Sequence, residues 1–307
     1  MLDNTIKVGS EDEIVAIFKE NTEWIESKGE SGQRAILDGY VLSHMNFVGD
    51  SMRGASLDRC VFDYSDCNYV DFKGAKLRNA SFTKSKLACA DFSSVKLNGT
   101  TFRGASLNGA TLIKTKINWG DFNKAKLHKS NFQMSYIRNT DFTDANLAMT
   151  SFENANLISN NFFNANLRYA NLVNTNLTRT NLSNVDLSNA NITGAVLCQV
   201  LTEGWVIKNI KCDYIFADEK KEVRIPKNRL FEEGEFEELY SWFPSFVYYF
   251  KDKMHALDPY LISVIVSGLN KSNEDLHLQI DEIKGEGLYP QIEFSNRGRK
   301  MPLKWKK

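Results

Sequence analysis

The chain has 307 residues, with 38 lysines and arginines balanced by 38 aspartates and glutamates. An apolar fraction of 42% supplies a real core, while no apolar run approaches the ~18 residues of a transmembrane helix, so a helical membrane-spanning protein is excluded. The opening MLDNTIKVGSEDE has neither a basic segment nor an apolar one, and no secretory signal is expected from it. The five cysteines (Cys60, Cys67, Cys89, Cys198 and Cys212) are odd in number and lack CxxC spacing, which fits a reducing cytoplasm.

The first predicted element is a helix over about residues 11–27. Ser10 and Glu13 have the spacing of a capping box, and Ile14, Ile17, Phe18, Trp24 and Ile25 come after them at helical intervals. Its apolar face is expected to lid the repeat array that begins near Ala35, since repeat rods need closed ends.

That array has a period of five residues. Every fifth residue from Leu37 to Leu197 is apolar, a series of 33 centre positions with no insertion. Two residues before each centre the side chain is usually small, as at Ala75, Ala90, Ala105 and Ala125. Two residues after it stands Gly or Asn in many repeats, such as Gly74, Gly99, Asn154 and Asn174, the types that tolerate a positive φ. Each repeat therefore reads as a very short strand and a turn.

Centres ending in 2 include ten phenylalanines, whereas those ending in 7 include only Phe47. A closed coil of four five-residue sides explains this alternation: Phe lines two opposite walls, and Leu or Ile the other two. Residues 35–200 then form about eight coils, a rod roughly 40 Å long at ~4.8 Å per coil.

The run ANLISNNFFNANLRYANLVNTNLTRTNLSNVDLSNANITGAVL resembles the A(D/N)LXX pattern of the pentapeptide-repeat family. The resemblance implies a mainly β fold, a right-handed four-sided β-solenoid. It covers about 165 of the 307 residues. Tyr40, Met45, Asp50 and Asn160 depart from it by occupying the small position. Some family members protect DNA gyrase from quinolones and are described as mimics of duplex DNA.

Residues 201–307 change in composition and read as a small α+β domain. Strands flank a polar turn at 219–221, and GEFEELYSW opens a helix. Asp258 and Pro259 start a second helix, and LHLQIDEIKGEGLYPQIEF reads as a β-hairpin turning at 285–287. From Arg297 the chain holds six basic residues and no acid, which reads as a disordered tail. The segment CDYIFADEKKEVRIPKNRLFEEGEFEELY resembles a C-terminal extension of some bacterial pentapeptide-repeat proteins.

No motif of catalysis, cofactor binding or metal ligation is present. The four histidines have no HExxH-type partner, and GxGxxG, P-loop and GxSxG patterns are absent. The expectation is a non-enzymatic cytoplasmic scaffold for protein interaction, with no cofactor and no membrane.

Charge is segregated within this neutral chain. From Lys73 to Arg138 there are 13 basic residues and two acids, Asp91 and Asp121, while residues 213–293 hold 17 acids and nine bases. The twenty-residue period stacks Lys76, Lys96 and Lys116 as an outward ladder on one wall, with Lys114 and Lys73 near it. Lys84, Lys86, Arg103, Lys124, Lys126 and Lys129 are expected around the opposite corner. This belt suits nucleic acid or another polyanion, an acidic protein or an anionic surface, or the acidic region of this chain or of a second copy; ordinary solvated lysines, splayed to relieve repulsion, are the plain alternative. The rod is expected to lack aromatics interleaved with its lysines, and a basic rod is the wrong sign for a DNA mimic.

Overall fold

Backbone pairing obeys the twenty-residue period. In the computed structural model, which describes residues 7–241, 248–249, 278–284 and 291–296, each outward residue between a small position and a centre bridges in parallel to the residue twenty positions on. One wall runs from Ile36 through Ser56, Lys76, Lys96, Lys116, Tyr136, Asn156, Asn176 and Val196 to Phe216. Wall two runs from Val41 to Leu201, wall three from Asn46 to Val206, and wall four from Ser51 to Lys211. The fold is thus a four-sided β-solenoid.

These rungs pass residue 200, so the expected boundary there falls inside the coil. Thr202 puts a polar side chain at the next centre position and interrupts the apolar series. The backbone register continues regardless, with Leu182 N donating to Leu201 O at 2.8 Å and Asn184 N to Glu203 O at 2.7 Å.

Inside the coil every centre from Leu37 to Ile192 is buried. The phenylalanines form two facing columns. Phe82 stacks on Phe62 and Phe102 at 4.8 and 5.1 Å, and Phe72 on Phe92 at 4.6 Å. Across the coil they meet edge to face, as Phe72 and Phe82 do at 5.6 Å, the geometry favoured by the ring quadrupole. The corner residues hold positive φ, whether glycine (Gly104, 64°) or not (Lys124, 58°).

Helix α1 spans Glu11–Glu26, and its Ser10–Glu13 capping box is formed. Ile14 and Phe18 are buried, and the Phe18 ring meets Phe47 edge-on at 5.8 Å. The buried Asn21 accepts from Ala35 N at 2.9 Å and donates to Arg53 O at 3.0 Å. Helix and first coils therefore share both apolar and polar contacts.

After the last rungs, Ile215–Phe216 pairs antiparallel with Arg224–Ile225 around the expected polar turn. Phe231 N donates to Asp213 O at 2.8 Å. Phe236 is buried, edge-on to Phe231 and tilted against Trp205. The predicted helix here is Glu235–Ser241.

The chain divides into two compact units, Met1–Glu237 and Glu238–Lys307. The described part of the second is a three-stranded antiparallel sheet. Its central strand is Gln291–Asn296, flanked by Tyr248–Tyr249 and Leu278–Lys284. The expected hairpin pairs in this sheet. Its turn, the helix after Asp258 and the basic tail lie outside the described residues.

Asn160, the late departure from the small-residue rule, is buried and makes a structural substitution. At most corners the residue after the turn donates to the preceding centre carbonyl, as Ala125 N does to Phe122 O. After Ile137, the Asn160 amide from the next coil does this instead, donating to Ile137 O at 2.9 Å and accepting from Thr140 N at 2.9 Å. Thr140 Oγ1 in turn lies 3.3 Å from Gly120 N one coil earlier. Freed from the usual turn, Lys116–Asn118 and Tyr136–Arg138 pair as three-residue strands.

This packing makes the cost of two substitutions measurable. Phe122→Ala removes a ring stacked at 4.7 and 4.9 Å on Phe102 and Phe142, and urea unfolding is expected to show a loss of about 3–5 kcal/mol. Asn160→Ala restores the small residue yet leaves Thr140 N and Ile137 O without their partner; a loss of about 1–3 kcal/mol is expected in the same measurement. An unchanged midpoint for Asn160→Ala would show that the corner reverts to the ordinary turn without penalty.

Candidate anion-binding face

The outward position of many repeats has a local task. An Asp or Asn there often accepts from the backbone N–H two residues on, closing an Asx turn. Asp91 does so for Ser93 at 2.8 Å, Asp121 for Asn123 at 2.9 Å and Asn161 for Phe163 at 3.2 Å. A lysine ammonium has no acceptor to offer. Lys76, Lys96 and Lys116 give up that bond on three successive rungs of the first wall.

All three lysines are exposed, and none has a carboxylate within 4.0 Å among the described residues. Rungs ~4.8 Å apart hold like charges close together, which costs about 0.2–1 kcal/mol per pair. Three of the basic groups flanking this wall are neutralised, while Arg59, Lys114 and Arg138 at its corners have no carboxylate within 4.0 Å among the described residues. Arg53 faces Asp71 at 3.7 Å, Lys73 pairs with Asp91 at 2.7 Å, and Arg78 pairs with Asp58 at 2.7 Å. Burial raises the Asp91 carboxyl, but hydrogen bonds from Lys73 and Ser93 outweigh it and hold the pKa below the ordinary value.

The remaining predicted residues do not join this ladder. Lys84, Arg103 and Lys124 lie along the corner between walls two and three, Lys86 and Lys126 are outward on wall three with Ser106 between them, and Lys129 lies at the next corner. Lys86 is paired with Asp66 at 3.0 Å and Arg103 with Asp121 at 2.9 Å. Lys84 lies over the Tyr64 ring at 5.4 Å, and that ring stacks on His44. The opposite side is therefore partly self-compensated, whereas the ladder is not.

Aromatic side chains do accompany the lysines, contrary to the sequence expectation. Tyr136 is the next rung after Lys116 and Trp119 lies at the adjoining corner; they are 40% and 68% exposed. The Arg138 guanidinium lies 4.9 Å from the Tyr136 ring centroid. Trp119 and Tyr136 are 17 residues apart, so only the coil register reveals that they share a face with the ladder.

The pentapeptide-repeat pattern matches in eight copies, over residues 35–79, 65–104, 75–112, 85–123, 121–157 and 161–197. These segments span more than half of the chain. The chain belongs to the pentapeptide-repeat family. Among solved structures it is similar to trypsin-treated QnrB1, a plasmid-mediated fluoroquinolone resistance protein. That match has 17% identity and a TM-score of 0.47, covering 59% of this chain and 90% of that one. It is also similar to HetL, a pentapeptide-repeat protein involved in heterocyst differentiation regulation in a Nostoc cyanobacterium. There the identity is 22% and the TM-score 0.29, covering 64% of this chain and 95% of that one. No curated protein matches the sequence significantly.

Among the described residues, no three His, Cys, Asp or Glu side chains converge as a metal-binding group, and no helix is long and apolar enough to cross a membrane. The buried cysteines serve the core. Burial pushes the Cys60 and Cys67 thiols up to about 12, and Cys60 Sγ donates to Leu37 O at 2.8 Å. At pH 8 an alkylating reagent is expected to modify the exposed Cys89 and spare Cys60 and Cys67 until the coil is unfolded. Mass-spectrometric mapping checks this, and early labelling of Cys67 would contradict its assigned place in the core.

Proposed function

We propose that this chain is a non-enzymatic interaction scaffold whose working surface is the wall bearing Lys76, Lys96 and Lys116, and that a polyanion is the class of partner it takes. The observation that carries this reading is the ladder's lack of compensation. Three consecutive rungs exchange a turn-closing Asp or Asn for an unpaired cation, while Lys73 and Arg78 beside them are matched with acids. Ligand charge is the missing complement.

In this reading α1 closes one end of the rod, and the segment around Phe231 and Phe236 closes the other. About nine coils lie between them, and the acidic α+β region comes after. Closed ends leave the walls as the available surface. Pairing of the basic wall with the acidic region of a second copy is the self-association version of the same reading. Fluoroquinolone resistance is not carried over from QnrB1, because a rod that stands in for duplex DNA needs acids where this wall has lysines.

Retention on immobilised heparin tests the proposal. The wild-type chain is expected to elute at higher salt than a Lys76→Glu, Lys96→Glu, Lys116→Glu variant. A variant with the same charge change at Lys124, Lys126 and Lys129 is expected to move much less. Equal shifts for the two variants would show a nonspecific charge effect and remove the wall from the reading.

A further inference from the structure

We propose that the face from Lys76 to Arg138 binds single-stranded nucleic acid, with phosphates along the lysine ladder and bases stacked on Trp119 and Tyr136. The proposal rests on the polyanion reading and names its ligand.

The charge pattern selects a single strand. A duplex presents two phosphate lines separated by a groove about 6–12 Å wide and is best met by two lines of cations. Here Lys73 and Arg78, on either side of the wall, are already paired with Asp91 and Asp58, while Lys114 and Arg138 at its corners add single charges, unpaired among the described residues, beside the ladder. The continuous line of unpaired ammonium groups is the ladder itself, three rungs covering about 10 Å. That length suits a short run of one backbone, and the flexible lysine stems absorb the difference between rung spacing and phosphate spacing.

The aromatic groups select a nucleic acid over an acidic peptide. Carboxylates would satisfy the lysines and leave the indole unused. Trp119 contributes nothing to the core at 68% exposure. Its φ of 60° is shared with the other corners, Tyr64, Met134 and Tyr169 among them; what it adds beside the ladder is an exposed indole, a flat π-face for a base. Tyr136 is prepared similarly, with Arg138 beside its ring and the ring still partly exposed.

The platform is also held rigid from beneath. Asn160, Thr140 and Gly120 link three successive coils through their buried hydrogen bonds. This relay lies under the corner that carries Trp119 and Arg138. Preorganisation of this kind reduces the ordering lost on binding.

Fluorescence anisotropy with the full chain tests the proposal. The probes are labelled single-stranded DNA and RNA of about twelve nucleotides, the matching DNA duplex, and polyglutamate of equal charge. A single strand, DNA or RNA, is expected to bind more tightly than the duplex or polyglutamate. Three phosphate contacts predict a slope of about −2 for log affinity against log salt. Trp119→Ala is expected to weaken single-strand binding about tenfold while leaving the salt slope and melting temperature unchanged. The triple Lys→Glu variant is expected to abolish binding.

Equal or tighter binding of duplex or polyglutamate overturns the proposal, as does full affinity in Trp119→Ala. If heparin retention still depends on the ladder in that event, the polyanion reading survives and only the single-strand assignment fails. Heparin retention indifferent to the ladder removes both.

Discussion

The structure depends on one repeated backbone interaction, the bond between an amide and the carbonyl nineteen residues ahead on the next coil. Phe122 N to Asp141 O and Leu127 N to Asn146 O, both at 2.7 Å, are two instances. Because the same bond recurs on all four sides, each coil copies the orientation of the one before it. Apolar centres point inward and stack, and the residue before each centre points outward and stacks as well. The alternation of faces along a strand thereby becomes four continuous columns outside and a dry ladder inside. A change on one outer column leaves the inner contacts of the others intact.

This regularity is maintained at a local conformational cost. The corner after each centre requires a left-handed residue, and many corners carry lysine, tyrosine, methionine or tryptophan in place of glycine. Such residues persist in that region when surrounding bonds over-determine the backbone. Here the over-determination comes from the next coil and from the turn itself. Lys124 N, for example, is held by Thr143 O at 3.0 Å while the Ala125 turn bond closes on Phe122. The ladder therefore lets large side chains project from the corners, where a partner can reach them.

Much of this is legible in the sequence because the period is short and unbroken. Thirty-three apolar centres define the coil without reference to any tertiary contact, and the alternation of Phe with Leu separates the facing Phe columns from the other walls. The less legible features all depend on contacts between coils. Thr202 hides the final rungs because side-chain type changes there while backbone register does not. Asn160 reads as an irregularity in one dimension; in three it replaces a turn bond of the preceding coil. The twenty-residue period names the column of each charge. It does not say whether a long side chain reaches to the coil above or below, so it leaves the pairing of Lys86 with Asp66 and of Arg103 with Asp121 unread. Trp119 and Tyr136 escape a reading of the sequence for a related reason, since one lies at a corner and the other on a wall.

The two halves of the rod contrast in how their outer polar groups are satisfied, and this favours the lysine wall as the working surface. In the later coils, asparagine amides bond to one another and to aspartates along the columns: Asn181 to Asn161 at 3.0 Å, Asn166 to Asn146 at 3.3 Å, Asn164 to Asp144 at 2.6 Å. Their Oδ1 atoms also close the local turns, as those of Asn161, Asn166 and Asn181 do. A partner docking there must compete with bonds already made. At Lys76, Lys96 and Lys116 the outward positions of the first wall carry cations with no carboxylate in reach among the described residues, and mutual repulsion raises the energy of the free state. An anion bound there relieves that repulsion and displaces no internal ion pair, so association gains from both terms at once. The same backbone ladder supports both surfaces, and the side chain placed at one outward position per repeat decides whether its charge or hydrogen-bonding groups are satisfied within the rod.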